Sequence, residues 1–224
     1  MHPFAAYLTE IRDIRLSGGG VKETSYYGPL ATLLNDAGKG IRPRVRCIIN
    51  LRNTGGGIPD GGFFTRDQFP RGSADEPRED QLPGRGALEV KGLDEEVSGI
   101  AMGEQVAKYV ARYGQVLVTN LRDFALVGAD QAGTVKALEV FRSAGSKAAF
   151  LAGLRDPDKV AEERGDALIE YLRRVLLRPA PLADPKDLAW FLASYAKEAR
   201  ARVETGSPGG RVALRSLAHT VSGR

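Results

Sequence analysis

Apolar positions along the chain switch between two periods. Tyr7, Leu8, Ile11 and Ile14 fall at helical spacing, which predicts a short amphipathic helix over Phe4–Leu16, broken by Gly18, Gly19 and Gly20. Glu23–Ala37 reads as a second helix, with Leu30, Leu33 and Leu34 as its stripe and Gly38 as its stop. Arg44–Leu51 (RVRCIINL) is β-like, Gly55–Gly57 mark a turn, and Ile58–Thr65 (IPDGGFFT) reads as a second strand. Residues 66–85 are polar and rich in proline and glycine, which predicts a long surface connection. Ala87–Lys91 (ALEVK) is a third short strand. Ser98–Tyr113 is a helix that buries Ile100, Val106, Ala107 and Val110, and Gln115–Leu121 and Phe124–Val127 are two more strands.

Beyond Arg142 the pattern turns helical. Ala144–Ala152 is a small helix, and Pro157–Leu177 a long one with Val160, Leu168, Ile169, Leu172, Val175 and Leu176 apolar. Asp184–Val203 is a further helix, with Asp184 suited to the N-cap and Pro185 to the first helical position. The expected organisation is an α/β domain over 1–143, in which a mixed central sheet is flanked by helices. A helical connector over 144–205 and a flexible glycine-, serine- and arginine-rich tail over 206–224 follow.

Composition narrows the chemistry. Of 224 residues, 42% are apolar and 27% charged, which is globular usage. No stretch approaches the ~20 apolar residues that span a bilayer, and Met1–Ile11 lacks the pattern of a secretory signal, so a cytoplasmic protein with no membrane partner is expected. Cys47 is the one cysteine, and His2 and His219 lie near opposite ends. That excludes an intrachain disulfide and a cysteine metal cluster, and leaves carboxylates and lysines as the chemical material. The net charge is +4. Residues 37–59 hold no acid, while Lys39, Arg42, Arg44, Arg46 and Arg52 supply positive charge. Such a block either binds a phosphate backbone or is a solvated face.

Several polar residues fall at informative places. Asp60 follows Pro59 at the start of the second strand. Glu89 and Lys91 are two apart on the third, so both project to one face. Converging carboxylates offer a hard divalent cation an oxygen-rich pocket, and a neighbouring lysine can orient the attacking water and offset developing charge. Glu23 opens the second helix, and Gln105 and Tyr109 share a helix face at i, i+4 spacing. Each has a plainer alternative: P-D-G-G is a turn signal, Glu89 and Lys91 can form a surface ion pair, an acid suits a helix start, and Gln105 with Tyr109 can line a half-buried face. Asn120, just past a strand, is placed to touch a substrate.

Pro59-Asp60 followed by Glu89-Val90-Lys91 resembles the PD-(D/E)XK nuclease superfamily. Gln105-Val-Ala-Lys-Tyr109 resembles the Q-x-x-x-Y motif of one of its branches, and Glu23 matches the acid found on its first core helix. The element order agrees with its α-β-β-β-α-β, restriction-endonuclease-like core. Over roughly residues 20–205 the chain is also similar to the N-terminal region of type IIG and type ISP restriction–modification proteins, in which a nuclease domain precedes a helical connector and an N6-adenine methyltransferase. No N-P-P-Y-type string or glycine-rich S-adenosylmethionine loop occurs in this sequence. The resemblance implies Mg²⁺-dependent (or Mn²⁺-dependent) hydrolysis of DNA phosphodiesters. Asp60 and Glu89 would ligate the metal, Lys91 would assist the water, Glu23 would support metal or water, and Gln105 and Tyr109 would position the site. Lys39, Arg42, Arg44, Arg52 and Asn120 are the expected DNA contacts. One site per chain implies two visits or a homodimer for double-strand cleavage. The rival readings are a module that docks to a separate methyltransferase or specificity subunit without cutting, and a DNA-repair or recombination nuclease.

Overall fold

The computed structural model describes residues 1–18, 23–51, 58–70, 72, 76–78 and 81–178, and within 189–203 residues 189, 192, 193, 195–197, 199, 200 and 203. Helix α1 spans Pro3–Leu16; the His2 side chain caps it by accepting from Phe4 N–H. A 3-10 turn, Glu23–Tyr26, leads into α2, Tyr27–Lys39. Strands β1 (Val45–Ile49), β2 (Gly61–Thr65) and β3 (Ala87–Val90) follow. The single helix expected over Ser98–Tyr113 is two helices, α3 (Val97–Ala101) and α4 (Glu104–Tyr113), parted at Met102–Gly103 with Gly103 as the N-cap of α4. Then come β4 (Gln115–Thr119), β5 (Asp123–Ala129), β6 (Val135–Arg142), α5 (Lys147–Gly153) and α6 (Pro157–Leu177).

The fold is α/β: a six-stranded mixed sheet in the order β1-β2-β3-β4-β5-β6, with helices flanking it. Every neighbouring pair is antiparallel except β3 and β4, which run parallel because α3 and α4 carry the chain across. Ala87, Val116, Val118, Ala125 and Val127 pack on one face against Val97, Ala101, Val106 and Val110. Leu88, Leu117 and Leu126 alternate with them and are also buried, so both faces are covered and the central strands are near-continuously apolar. The second layer is α1, α2 and α6, joined to the β4–β5 turn by Tyr7 Oη donating to Leu121 O (2.7 Å) and to the sheet by Tyr171 Oη donating to Phe124 O (3.1 Å). This layout is consistent with a restriction-endonuclease-like core.

Three further features differ from the sequence expectation. Strand β6 was not anticipated. Segment 66–85 is not a bare surface connection: it contains a 3-10 turn at Arg66–Gln68, and Phe69 and Arg85 are buried. The first compact unit runs Met1–Ala180, not to 143, because α6 buries Leu168, Tyr171, Leu172 and Val175. The second unit is Pro181–Arg224; its described residues are helical, inside the expected Asp184–Val203 helix. Asp184, Pro185 and the expected tail lie outside the described residues. No helix among the described residues is long and apolar enough to cross a membrane.

Edge strand β1 is tied to α2 by one side chain. Asn35 Oδ1 accepts from Cys47 N–H (3.0 Å), and Asn35 Nδ2 donates to Cys47 O (3.4 Å), so the outward edge of β1 is satisfied at its centre. The same bonds fix α2 along the sheet, which decides where the first turn of α2 lands.

Candidate active site

The site forms where β2 and β3 separate. Their ladder has two pairs, Gly61 with Leu88 and Gly62 with Ala87. Continued, that register would set Asp60 across from Glu89 and Pro59 across from Val90. Proline has no N–H to give the Val90 carbonyl, so the ladder ends there. Asp60 instead receives the Val90 N–H on its side chain, at Oδ2 (2.8 Å). Since N–H and C=O of one strand residue point the same way, the Val90 carbonyl faces the same gap. On the other side Asp60 O accepts from Asn50 N–H (2.8 Å), and Asn50 takes φ +60°, a conformation asparagine tolerates. The P-D-G-G string is therefore not a turn. Gly61 and Gly62 lie in β2, where close neighbours exclude side chains: a β-carbon on Gly62 would sit 2.3 Å from Pro83.

Four further side chains, Tyr27, Glu23, Glu89 and Lys91, gather around Asp60. Tyr27, at the start of α2, donates to Asp60 Oδ1 (2.6 Å) and lies 3.3 Å from Glu23 Oε1. Lys91 Nζ donates to Glu89 Oε1 (2.6 Å). Glu89 is buried, its side chain 3% exposed, while Lys91 is 29% exposed. Burial pushes the Glu89 carboxyl up to about 6, with the charges of Asp60 and Glu23 adding to it and Lys91 opposing. Burial and the Asp60 charge likewise raise the Glu23 carboxyl, against the pull of Lys91. Lys91 is held above its ordinary value because Glu89, Asp60 and Glu23 together outweigh its partial burial. It is therefore a stable ammonium facing three carboxylates.

Gln105 and Tyr109 are joined, as their spacing suggested: Gln105 Nε2 donates to Tyr109 Oη (2.8 Å). Tyr109 Oη donates in turn to Ile58 O (2.9 Å). The pair thus anchors the chain two residues before Asp60, and the charges of Glu89 and Asp60 are near enough to help burial raise the tyrosine pKa. The backbone of Lys91 is anchored by its N–H to Thr119 O (2.8 Å).

Asn120 sits elsewhere in the scheme than expected. It is fully buried; its Nδ2 donates to Glu95 O (2.7 Å), and its Oδ1 accepts from the N–H groups of Arg122 and Asp123. It closes the β4–β5 turn, in which Leu121 takes φ +69°, and offers no group to DNA. The basic stretch is also displaced. Arg44 O accepts from Arg66 N–H at the far end of β1, whereas Asn50 meets Asp60 at the near end. Six extended residues span about 20 Å. Lys39, Arg42 and Arg44 are exposed at that far end, and Lys39 is paired with Asp36. Arg46 lies over the Phe69 ring, 5.5 Å from its centroid. Arg52 lies outside the described residues.

Tyr27 and the Val90 N–H were not singled out beforehand. The available signals were the i, i+4 spacing of Glu23 and Tyr27 and the proline before Asp60. Cys47 is buried and its thiol pushed up to about 12 by that burial, so it is inert. The described residues contain no group of three or more His, Cys, Asp or Glu side chains disposed to hold a metal ion. The gap instead presents two carboxylates and a backbone carbonyl, with Glu23 3.3 Å from the Tyr27 hydroxyl.

No family model matches the chain, and no curated protein matches it. Among solved structures it is similar to one titled as a cryo-EM structure of a DrdV–DNA complex, with 20% sequence identity and a TM-score of 0.43, over 68% of this chain and 93% of that one.

Proposed function

We propose that the chain is a Mg²⁺-dependent endonuclease domain that hydrolyses DNA phosphodiesters, serving a restriction–modification system of the type IIG or type ISP kind. The observation that carries this reading is the convergence of Asp60, Glu89 and Lys91 at the β2–β3 gap, with Glu23 in electrostatic reach. The donor set suits a hard cation. It is all oxygen, has no soft ligand, and comprises few protein groups, which matches the preference of Mg²⁺ for one or two carboxylates with retained waters. Asp60 and Glu89 would hold the ion, with the Val90 carbonyl facing it. When bound, it would polarise the phosphoryl oxygens and acidify a bound water.

The protein groups would do the rest. Lys91, already an ammonium, would orient the attacking water and offset charge on the phosphorane oxygens. Its hydrogen bond to Glu89 would keep that ammonium beside the carboxylates that hold the ion. Gln105 and Tyr109 would keep the Pro59–Asp60 backbone in place. Arg42 and Arg44, about 20 Å away along β1, would hold duplex DNA away from the cut.

Plasmid nicking with and without Mg²⁺ tests the reading. Metal-dependent nicking that Asp60→Ala and Lys91→Ala both abolish supports it. Retarded migration of DNA in a gel without nicking, unchanged by either substitution, identifies a binding or docking module instead.

A further inference from the structure

We propose that Tyr27 is a positioning residue that sets the Asp60 carboxylate for the divalent cation, acting through Asp60 and touching neither the ion nor DNA; this rests on the reading of the β2–β3 gap as a cation site. An aspartate side chain turns about two torsions, and a carboxylate held at one oxygen can still swing about that bond. Asp60 is held at both. Val90 N–H takes Oδ2 at 2.8 Å from β3, and Tyr27 Oη takes Oδ1 at 2.6 Å from α2. Donors from two separate elements leave the group one orientation. Each carboxylate oxygen has two lone-pair directions, so one donor apiece leaves the others open to a cation.

The hydroxyl has one proton and two carboxylates within reach. Glu23 Oε1 lies at 3.3 Å against 2.6 Å for Asp60 Oδ1, so the proton serves Asp60. The Tyr27 ring is 9% exposed and belongs to a helix whose register is pinned by Asn35 on Cys47. Replacing the hydroxyl by hydrogen therefore leaves the ring packed and removes one grip on Asp60. Outer partners that orient metal ligands typically contribute about 10–100-fold in metal affinity. Tyr26, on the preceding turn and 6% exposed, serves as a control for loss of a hydroxyl nearby.

The test is Mn²⁺ binding to the full chain without DNA, followed by electron paramagnetic resonance, in the wild type and the Tyr27→Phe, Tyr26→Phe and Asp60→Asn variants. Tyr27→Phe should weaken binding about 10-fold or more, with the metal-free melting temperature near that of the wild type. In nicking assays its Mg²⁺ half-saturation should rise in step while the rate at saturating Mg²⁺ approaches the wild-type rate. Tyr26→Phe should bind as the wild type does. Wild-type affinity in Tyr27→Phe alongside weakened Asp60→Asn overturns the positioning role and leaves the cation site standing. Equal weakening in Tyr26→Phe also overturns it, as general loosening of the turn. Wild-type affinity in Asp60→Asn overturns the cation site itself.

Discussion

Two of the carboxylate–cation pairs carried by this sheet differ in what surrounds them. Glu139 on β6 meets Arg174 on α6 with both side chains enclosed, 7% and 3% exposed, and Arg174 Nε lies 3.1 Å from Glu139 Oε1. Glu89 on β3 meets Lys91, the residue just past that strand, but the lysine opens to solvent and two further carboxylates crowd the pair. The first joins a helix to an edge strand. The second keeps a carboxyl at about 6 although an ammonium sits 2.6 Å away. A buried pair whose charges balance is scaffold. Like charges gathered around one half-buried cation make a place that a further positive ion would complete, which is where perturbed titration and function tend to coincide.

The comparison can be broken most forcefully at the site. Asp60→Ala and Lys91→Ala should each lower Mg²⁺-dependent nicking by about 10²–10³-fold or more, with thermal melting little altered; persistent nicking would merge the two kinds of pair. Arg174→Ala should do the reverse. Leaving Glu139 buried without its cation should cost about 3–5 kcal/mol in urea unfolding, while the nicking rate per folded molecule is unchanged.

Glu89 sharpens the contrast through pH. Its folded-state pKa is raised, so the folded chain holds a proton that the unfolded chain has released between the ordinary carboxylate range and about 6. That contribution to stability is fully present below the ordinary value and is lost as pH rises through about 6. Metal-free wild type should therefore unfold at lower urea at pH 7.5 than at pH 5. Glu89→Gln should flatten that slope and add about 1–2 kcal/mol at pH 7.5, while nicking is lost. The smallest effect belongs to the distant basic end. Arg42→Ala with Arg44→Ala should lower the salt dependence of DNA binding by about one to two counterions and leave the rate at saturating DNA unchanged.

Local patterns were readable where one element decides the outcome. Phe4–Leu16 and Pro157–Leu177 carry clear helical stripes with proline at or near their first turns, and they lie where expected. Glu89 and Lys91 follow from the two-residue period of a strand. What needed three dimensions was missed or displaced. Strand β6 places Ala137 and Leu138 side by side at a bulge against Leu126–Val127, which blurs its alternation. Tyr27 meets Asp60 across 33 residues, a contact set by the docking of α2 on β1. Arg44 is close to Asp60 in the chain's order of elements yet a strand's length away, because β1 runs toward the site from the far end. Asn120, at the end of a strand, is turned inward by the β4–β5 turn it closes.

The most direct test of the central claim is a crystal of the chain soaked in Mn²⁺ and measured at the manganese absorption edge. One anomalous peak within about 2.5 Å of oxygens of Asp60 and Glu89 is the predicted result. A peak ligated by other residues, or an unoccupied gap at saturating Mn²⁺, would contradict it.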